Sequence, residues 1–118
     1  MSTFMKSKFS ESVDGRGIAI SGSATPGVLV HTAVAGSAVG VYDEVWLYAY
    51  NSHSSSVAVT VEFGGSIVPG DIVKATVPAV SGLLPLIPGY PLQGGCEVRV
   101  YAAVQNVVAV SGFVNKIT

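Results

Sequence analysis

The chain has 118 residues, 49% of them hydrophobic and only 11% charged, with a formal net charge of −1, where an ordinary globular domain carries about 25% charged residues. That length makes one domain, able to bury roughly two thirds of its unfolded surface in a single core. The absence of any basic run excludes the electrostatic footprint of a nucleic-acid binder. A surface so poor in charge must be covered by Ser, Thr, Gly, Ala and exposed apolar atoms. A contiguous apolar patch marks a partner surface, so self-association or docking on a larger assembly is expected. No stretch approaches eighteen uninterrupted apolar residues, which excludes a transmembrane helix, and no membrane partner is expected. Residues 1–17 have lysines but neither an apolar h-region nor an A-x-A-like site, so no signal peptide is predicted. The single cysteine, Cys96, rules out an intrachain disulfide and points to assembly in a reducing cytoplasm.

Residues 1–16 are the most polar part, with Phe4, Met5, Phe9 and Val13 set among Ser, Lys, Glu and Asp. They read as a flexible, extended N-terminal arm that lacks the apolar density to fold alone, either anchored to a neighbour by Phe4 and Phe9 or frayed as a tail. Residues 17–118 read as one β domain. Residues 18–21 predict a short strand, closed by a turn containing Pro26-Gly27, and residues 28–33 predict the next. The centre of the chain is residues 43–63, DEVWLYAYNSHSSSVAVTVEF. Val45, Leu47 and Ala49 alternate with Trp46, Tyr48 and Tyr50; after a polar turn, Val57, Val59, Val61 and Phe63 alternate with Ala58, Thr60 and Glu62. Strict period-2 alternation of β-branched and aromatic residues predicts two strands, here paired as a hairpin. Gly64-Gly65 ends the second, and residues 71–77 predict another strand. Residues 83–88 contain Pro85 and predict an edge strand or extended loop, because proline cannot donate a ladder hydrogen bond. Residues 89–95 predict a long turn. Residues 96–104 and 107–117 predict the last two strands, joined tightly at Gln105-Asn106, with Gly112 a candidate bulge.

Seven to eight short strands and no helical periodicity predict an all-β, antiparallel β-sandwich or small barrel, since each sheet must bury one face against another. Eight strands would suit a jelly roll and seven an immunoglobulin-like sandwich.

Both faces of the strand at 45–50 are apolar or aromatic. Trp46, Tyr48 and Tyr50 would meet a sister subunit, fill the core, or form a platform for sugar rings; alternation leaves all three open. His31 and His53 are 22 residues apart with no clustered ligands, so no metal site is expected. Ser52 and residues 54–56 flank His53 without the orienting carboxylate or strained elbow that a nucleophile needs. Asp43 and Glu44, adjacent on a strand, point to opposite faces and cannot act as one dyad. The paired glycines are turn glycines, not a phosphate loop. No catalytic constellation, no cofactor and no enzyme are expected.

The segments ATPGVLVHTA, VYDEVWLYAYNSHSSSVAVTVEFGG, VKATVPAVSGLLPLIPGYPLQGG and EVRVYAAVQNVVAVSGFVNKI resemble small virion proteins of tailed bacteriophages. The resemblance spans residues 24–117 and rests on structural motifs: DEVWLYAYN, IPGYPL and GFVNKI. It implies a β-sandwich or jelly-roll subunit on the phage head, a decoration (cement) protein that is often a homotrimer and binds the major capsid protein. The implied location is the capsid surface of the virion, assembled in the host cytoplasm. On that reading Phe4, Phe9, Trp46, Tyr48, Tyr50, Tyr90 and Tyr101 are the candidate subunit or partner interface. A carbohydrate-binding, lectin-like module is the competing expectation, using Trp46, Tyr48, Tyr90 or Tyr101 with Asn51, Gln93 or Asn106; another head–tail or tail component is a third.

Overall fold

The structure is a computed structural model that describes residues 3–118. It is all-β, with nine strands: β1 (Phe4–Ser7), β2 (Ile18–Ala19), β3 (Val28–Thr32), β4 (Tyr42–Asn51), β5 (Val57–Phe63), β6 (Ile72–Val77), β7 (Leu84–Leu92), β8 (Glu97–Ala102) and β9 (Val108–Ile117). Sheet A has the order β1-β9-β4-β7, with β2 also paired to β9; sheet B has the order β3-β8-β5-β6. Every pairing is antiparallel. The sheets pack as a sandwich because each carries a valine-rich inner face. Val45, Leu47, Val110 and Val114 of sheet A and Val59, Val61, Val98 and Val100 of sheet B are all fully buried in one core. Burying a Val or Leu side chain stabilises by roughly 1.5–3 kcal/mol, so these few positions dominate the folding energy.

The expected central hairpin is not one. β4 lies in sheet A, between β9 and β7, while β5 lies in sheet B, between β8 and β6. Residues 52–56 carry the chain across the sandwich from one sheet to the other. Asn51, fully buried, builds this corner: its side-chain amide donates to the carbonyls of Ser55 (2.9 Å) and Val77 (3.0 Å), and its Oδ1 accepts the His53 N–H (2.8 Å). Residues 103–107 make a second crossing between β8 and β9. Among the described residues the one hairpin of successive strands is β5–β6.

The first sixteen residues also differ from expectation. Instead of a free arm, residues 4–7 form β1 on the edge of β9, with Phe4 opposite Ile117 and Ser7 opposite Val114. Phe9 is 1% exposed and belongs to the core. The Glu11 N–H donates to the Val30 carbonyl at 3.2 Å. A polar segment can be ordered this way because the β1–β9 ladder and one core side chain, Phe9, hold it, while Phe4, Met5 and Val13 stay exposed. Met1 and Ser2 lie outside the described residues.

The IPGYPL segment continues β7 rather than turning. β7 is an edge strand, as its prolines require, and its pairing with β4 shifts register twice, between Val45/Trp46 and between Leu47/Tyr48. Each shift inserts one extra β7 residue, Gly89 and Leu86. The two insertions bring Pro85, Pro88 and Pro91, spaced by three, opposite Tyr48, Trp46 and Glu44. A regular period-2 strand would have placed them on alternating faces. Gly112, by contrast, sits in unbroken register opposite Leu47; it is no bulge.

Candidate partner-binding face

Side chains alternate across a strand, and on β4 the burial follows: Asp43, Val45, Leu47, Ala49 and Asn51 are buried, while Tyr42, Glu44, Trp46, Tyr48 and Tyr50 are half-buried. The aromatic row therefore points outward from sheet A and does not fill the core. The neighbouring strands extend it. Phe113 of β9 lies opposite Trp46, and Ile117 opposite Tyr42; the three prolines of β7 flank the other side. Phe4 and Lys6 of β1 complete the face next to Ile117 and Asn115.

Its centre is a ladder across four strands. The Lys6 ammonium sits 4.2 Å from the centroid of the Phe113 ring, and Phe113 stacks on Trp46 with centroids 6.0 Å apart and planes 17° from parallel. On its far side the indole lies against Gly89, where a Cβ would stand 2.6 Å from Trp46 Cζ2 and where φ is +83°. Gly112 has a related role, since a Cβ there would collide with the Trp46 backbone carbonyl. Such stacking and cation–π contacts are worth roughly 0.5–1.5 kcal/mol each. The faces of Phe113 and Trp46 are thus already covered, and these two rings offer their edges outward beside the proline carbons. That suits packing against another protein surface better than stacking a sugar ring.

One polar cluster is embedded in the row. The Glu44 carboxylate accepts from Trp46 Nε1–H (2.8 Å) and from Asn115 Nδ2–H (2.9 Å). Hydrogen bonds from Asn115 and then from Trp46 hold the Glu44 carboxyl below its ordinary value of 4.5. Asn115 is 7% exposed, and among the described residues its Oδ1 has no hydrogen-bond partner.

A second apolar surface lies at the end of the sandwich where β3, β5, β7 and β9 finish. Val39 is 101% exposed, Ile67 71% and Val68 75%, at the tips of the loops before β4 and before β6. Phe4, Met5 and Tyr90, at the same end of their strands, are also exposed. The Val39 loop is tied down: the Gly94 N–H donates to the Gly36 carbonyl (2.7 Å), and Gln93 Nε2–H donates to the Val41 carbonyl (2.8 Å).

The outward face of sheet B is of another kind. Glu62 and Thr60, although outward on β5, are each 3% exposed: residues 25–27 lie over Glu62, and Thr60 sits between Lys74 of β6 and Tyr101 of β8. Thr25 Oγ1–H donates to Glu62 Oε2 (2.5 Å) and the Gly27 N–H to Glu62 Oε1 (2.7 Å). Arg99 Nη1–H donates to the Gly27 carbonyl (3.0 Å). Beside them lies a cleft of about 370 Å³ walled by Gly65, Cys96, Glu97 and Arg99. Tyr101 and Lys74 line an adjoining recess of about 290 Å³.

Of the residues singled out in the sequence, Trp46, Tyr48 and Tyr50 share the outward face of sheet A, and Phe4 lies at its end. Tyr90 is exposed on β7, and Tyr101 is on the opposite sheet. Phe9 is in the core, so it is unavailable to a partner. Asn51 and Gln93 spend their side chains on backbone groups, and Asn106 lies in the exposed β8–β9 crossing. Asp43 and Glu44 do point to opposite faces: Asp43, 1% exposed, meets His31 Nε2 at 2.7 Å inside the sandwich. Among the described residues no group of three or more His, Cys, Asp or Glu is placed to hold a metal. Sequence reasoning missed Phe113, whose period-2 position relative to Ser111 and Asn115 was the available signal, and Glu62, for which the sequence carries none.

No family model matches the chain, and no curated protein or solved structure shows a significant likeness to it.

Proposed function

We propose that the protein is a non-enzymatic structural subunit of a tailed-phage virion, a capsid decoration protein that acts as a homotrimer on the major capsid protein. The observation that carries this reading is the outward face of sheet A. Trp46, Tyr48, Tyr50 and Phe113, edged by Pro85 and Pro88, form an apolar surface that covers no part of the chain's own core. In the trimer this face meets the sister subunits, and the exposed end with Phe4, Val39, Ile67 and Val68 docks on the capsid. The strand order supports a jelly-roll reading: β2-β9-β4-β7 against β3-β8-β5-β6 is the order of two interleaved Greek keys, with β1 as an added edge strand. The low charge of the chain agrees with a surface made to be covered.

Light scattering after size exclusion tests the trimer. A mass three times that of the 12.0 kDa chain, reduced to the monomer by Tyr48→Ser with Phe113→Ser, is the expected result; a monomeric wild type removes the threefold interface. Capsid attachment is tested by co-sedimentation with decoration-free heads. Phe4→Ser with Val39→Ser should abolish it and leave the fold intact. Deleting residues 1–16 would not test attachment cleanly, because it would remove Phe9 from the core.

A sugar-binding module remains the second reading, favoured by one observation: Tyr101 lines a recess with Lys74, Thr25 and Glu62 on sheet B. Saturable binding in a calorimetric glycan panel, lost in Tyr101→Ala, would replace the virion reading with this one.

A further inference from the structure

We propose that the N-terminal strap, residues 8–12, is an acid-sensitive latch whose sensor is His31. The ring is 2% exposed, and each of its nitrogens has one partner. Nδ1 faces the Ser10 backbone N–H at 3.0 Å, and Nε2 faces Asp43 Oδ2 at 2.7 Å. A backbone N–H can only donate, so Nδ1 must carry a lone pair and the ring proton must sit on Nε2, donated to Asp43. The neutral imidazole is therefore satisfied on both sides. The strap it holds also donates the Glu11 N–H to Val30 (3.2 Å), accepts the Thr32 N–H on Ser10 Oγ (2.9 Å), and packs Phe9 against the imidazole with ring centroids 5.7 Å apart.

A further proton has one place to go, the Nδ1 lone pair. Taking it turns an acceptor into a donor that faces the donor of Ser10. The charged groups around the ring do not remove this conflict. Asp43 on β4 favours the imidazolium, but Lys116 on β9 already contacts the same carboxylate at 3.3 Å and opposes it. Glu11 on the strap favours the imidazolium, while the Lys8 amine is turned to the Ser12 carbonyl (2.9 Å). On β8 the residue paired with His31 is Val98, which is uncharged. Burial outweighs the attraction of Asp43 and lowers the His31 value from 6.5.

The sign follows. While the strap is closed, His31 resists protonation; once it lifts, the solvated ring binds a proton at its ordinary value of 6.5. The open form binds more protons, so acid favours opening. The gain begins as pH falls below 6.5 and ends at the lower closed-state value, at up to tenfold in the opening equilibrium per pH unit.

Native-state amide exchange between pH 7.5 and 5, corrected for intrinsic rates, tests the latch. The Ser10 and Glu11 amides should lose protection below pH 6.5 while the amides of Val59 and Val100 keep theirs. In His31→Gln, whose side-chain oxygen can still accept the Ser10 N–H, strap protection should become flat with pH. Equal loss at Val59 and Val100 would mean global unfolding and would overturn the latch, as would an unchanged slope in His31→Gln. Should that variant fail to fold, imidazole 15N shifts of the wild type still decide: a neutral ring protonated on Nδ1 overturns the proposal.

Discussion

On sheet A the outward residues of β4 are Tyr42, Glu44, Trp46, Tyr48 and Tyr50, all half-buried; on sheet B those of β5 are Ala58, Thr60 and Glu62. Behind them the two sheets are alike, with valines meeting valines in one core. What separates the faces is what the chain itself lays over them. Residues 25–27 lie over part of sheet B, and Glu62 is consumed in holding them through Thr25 and Gly27. In the aromatic row of sheet A, Phe113, Trp46 and Gly89 pack sideways on one another, and the row lies outward. A polar outward residue with all its bonds made marks a face completed within the chain. An apolar outward row marks a face available for a partner.

Substitutions can break or sharpen this contrast. The largest effect is expected where the sheets do not differ: Leu47→Ala, fully buried beneath the aromatic row, should cost about 2–5 kcal/mol in urea denaturation. A loss below ~1 kcal/mol would place the core elsewhere. Next, Glu62→Ala leaves the Gly27 N–H and the Thr25 hydroxyl without their acceptor and should cost about 1–3 kcal/mol, with exchange at Gly27 accelerated. The matched change on sheet A, Glu44→Ala, should cost less, because its carboxylate is only half-buried. Equal losses would erase the distinction between a covered and an open face. Trp46→Ala removes the stacking on Phe113 and should lower monomer stability by about 1 kcal/mol, while in size exclusion it should shift the assembly to lower mass. Smallest of all, Val39→Ser and Ile67→Ser should leave stability within about 0.5 kcal/mol, yet reduce co-sedimentation with capsids. A large stability loss there would show that these loop tips pack within the molecule.

The alternation of residues 43–63 determined by itself that two strands lie there and which side chains share a face. It also determined that Asp43 and Glu44 part company and that the chain is all-β. It did not determine which sheet each strand joins. A polar turn between two alternating strands looks the same whether it folds β5 beside β4 or carries it across the core, and the choice falls to distant partners, β7 and β9 on one side and β6 and β8 on the other. The same holds for Trp46, whose outward position depends on Phe113, 67 residues further along, and on two one-residue shifts in β7. It holds as well for Phe9 and His31: a sparse polar segment reads as an arm until the core supplies a place for the phenyl ring, and His31 gains its partners only when β3, β4 and the strap converge. Periodicity is local and survives in the sequence, whereas pairing and burial are set by contacts between residues far apart along the chain, which only the assembled sandwich brings together.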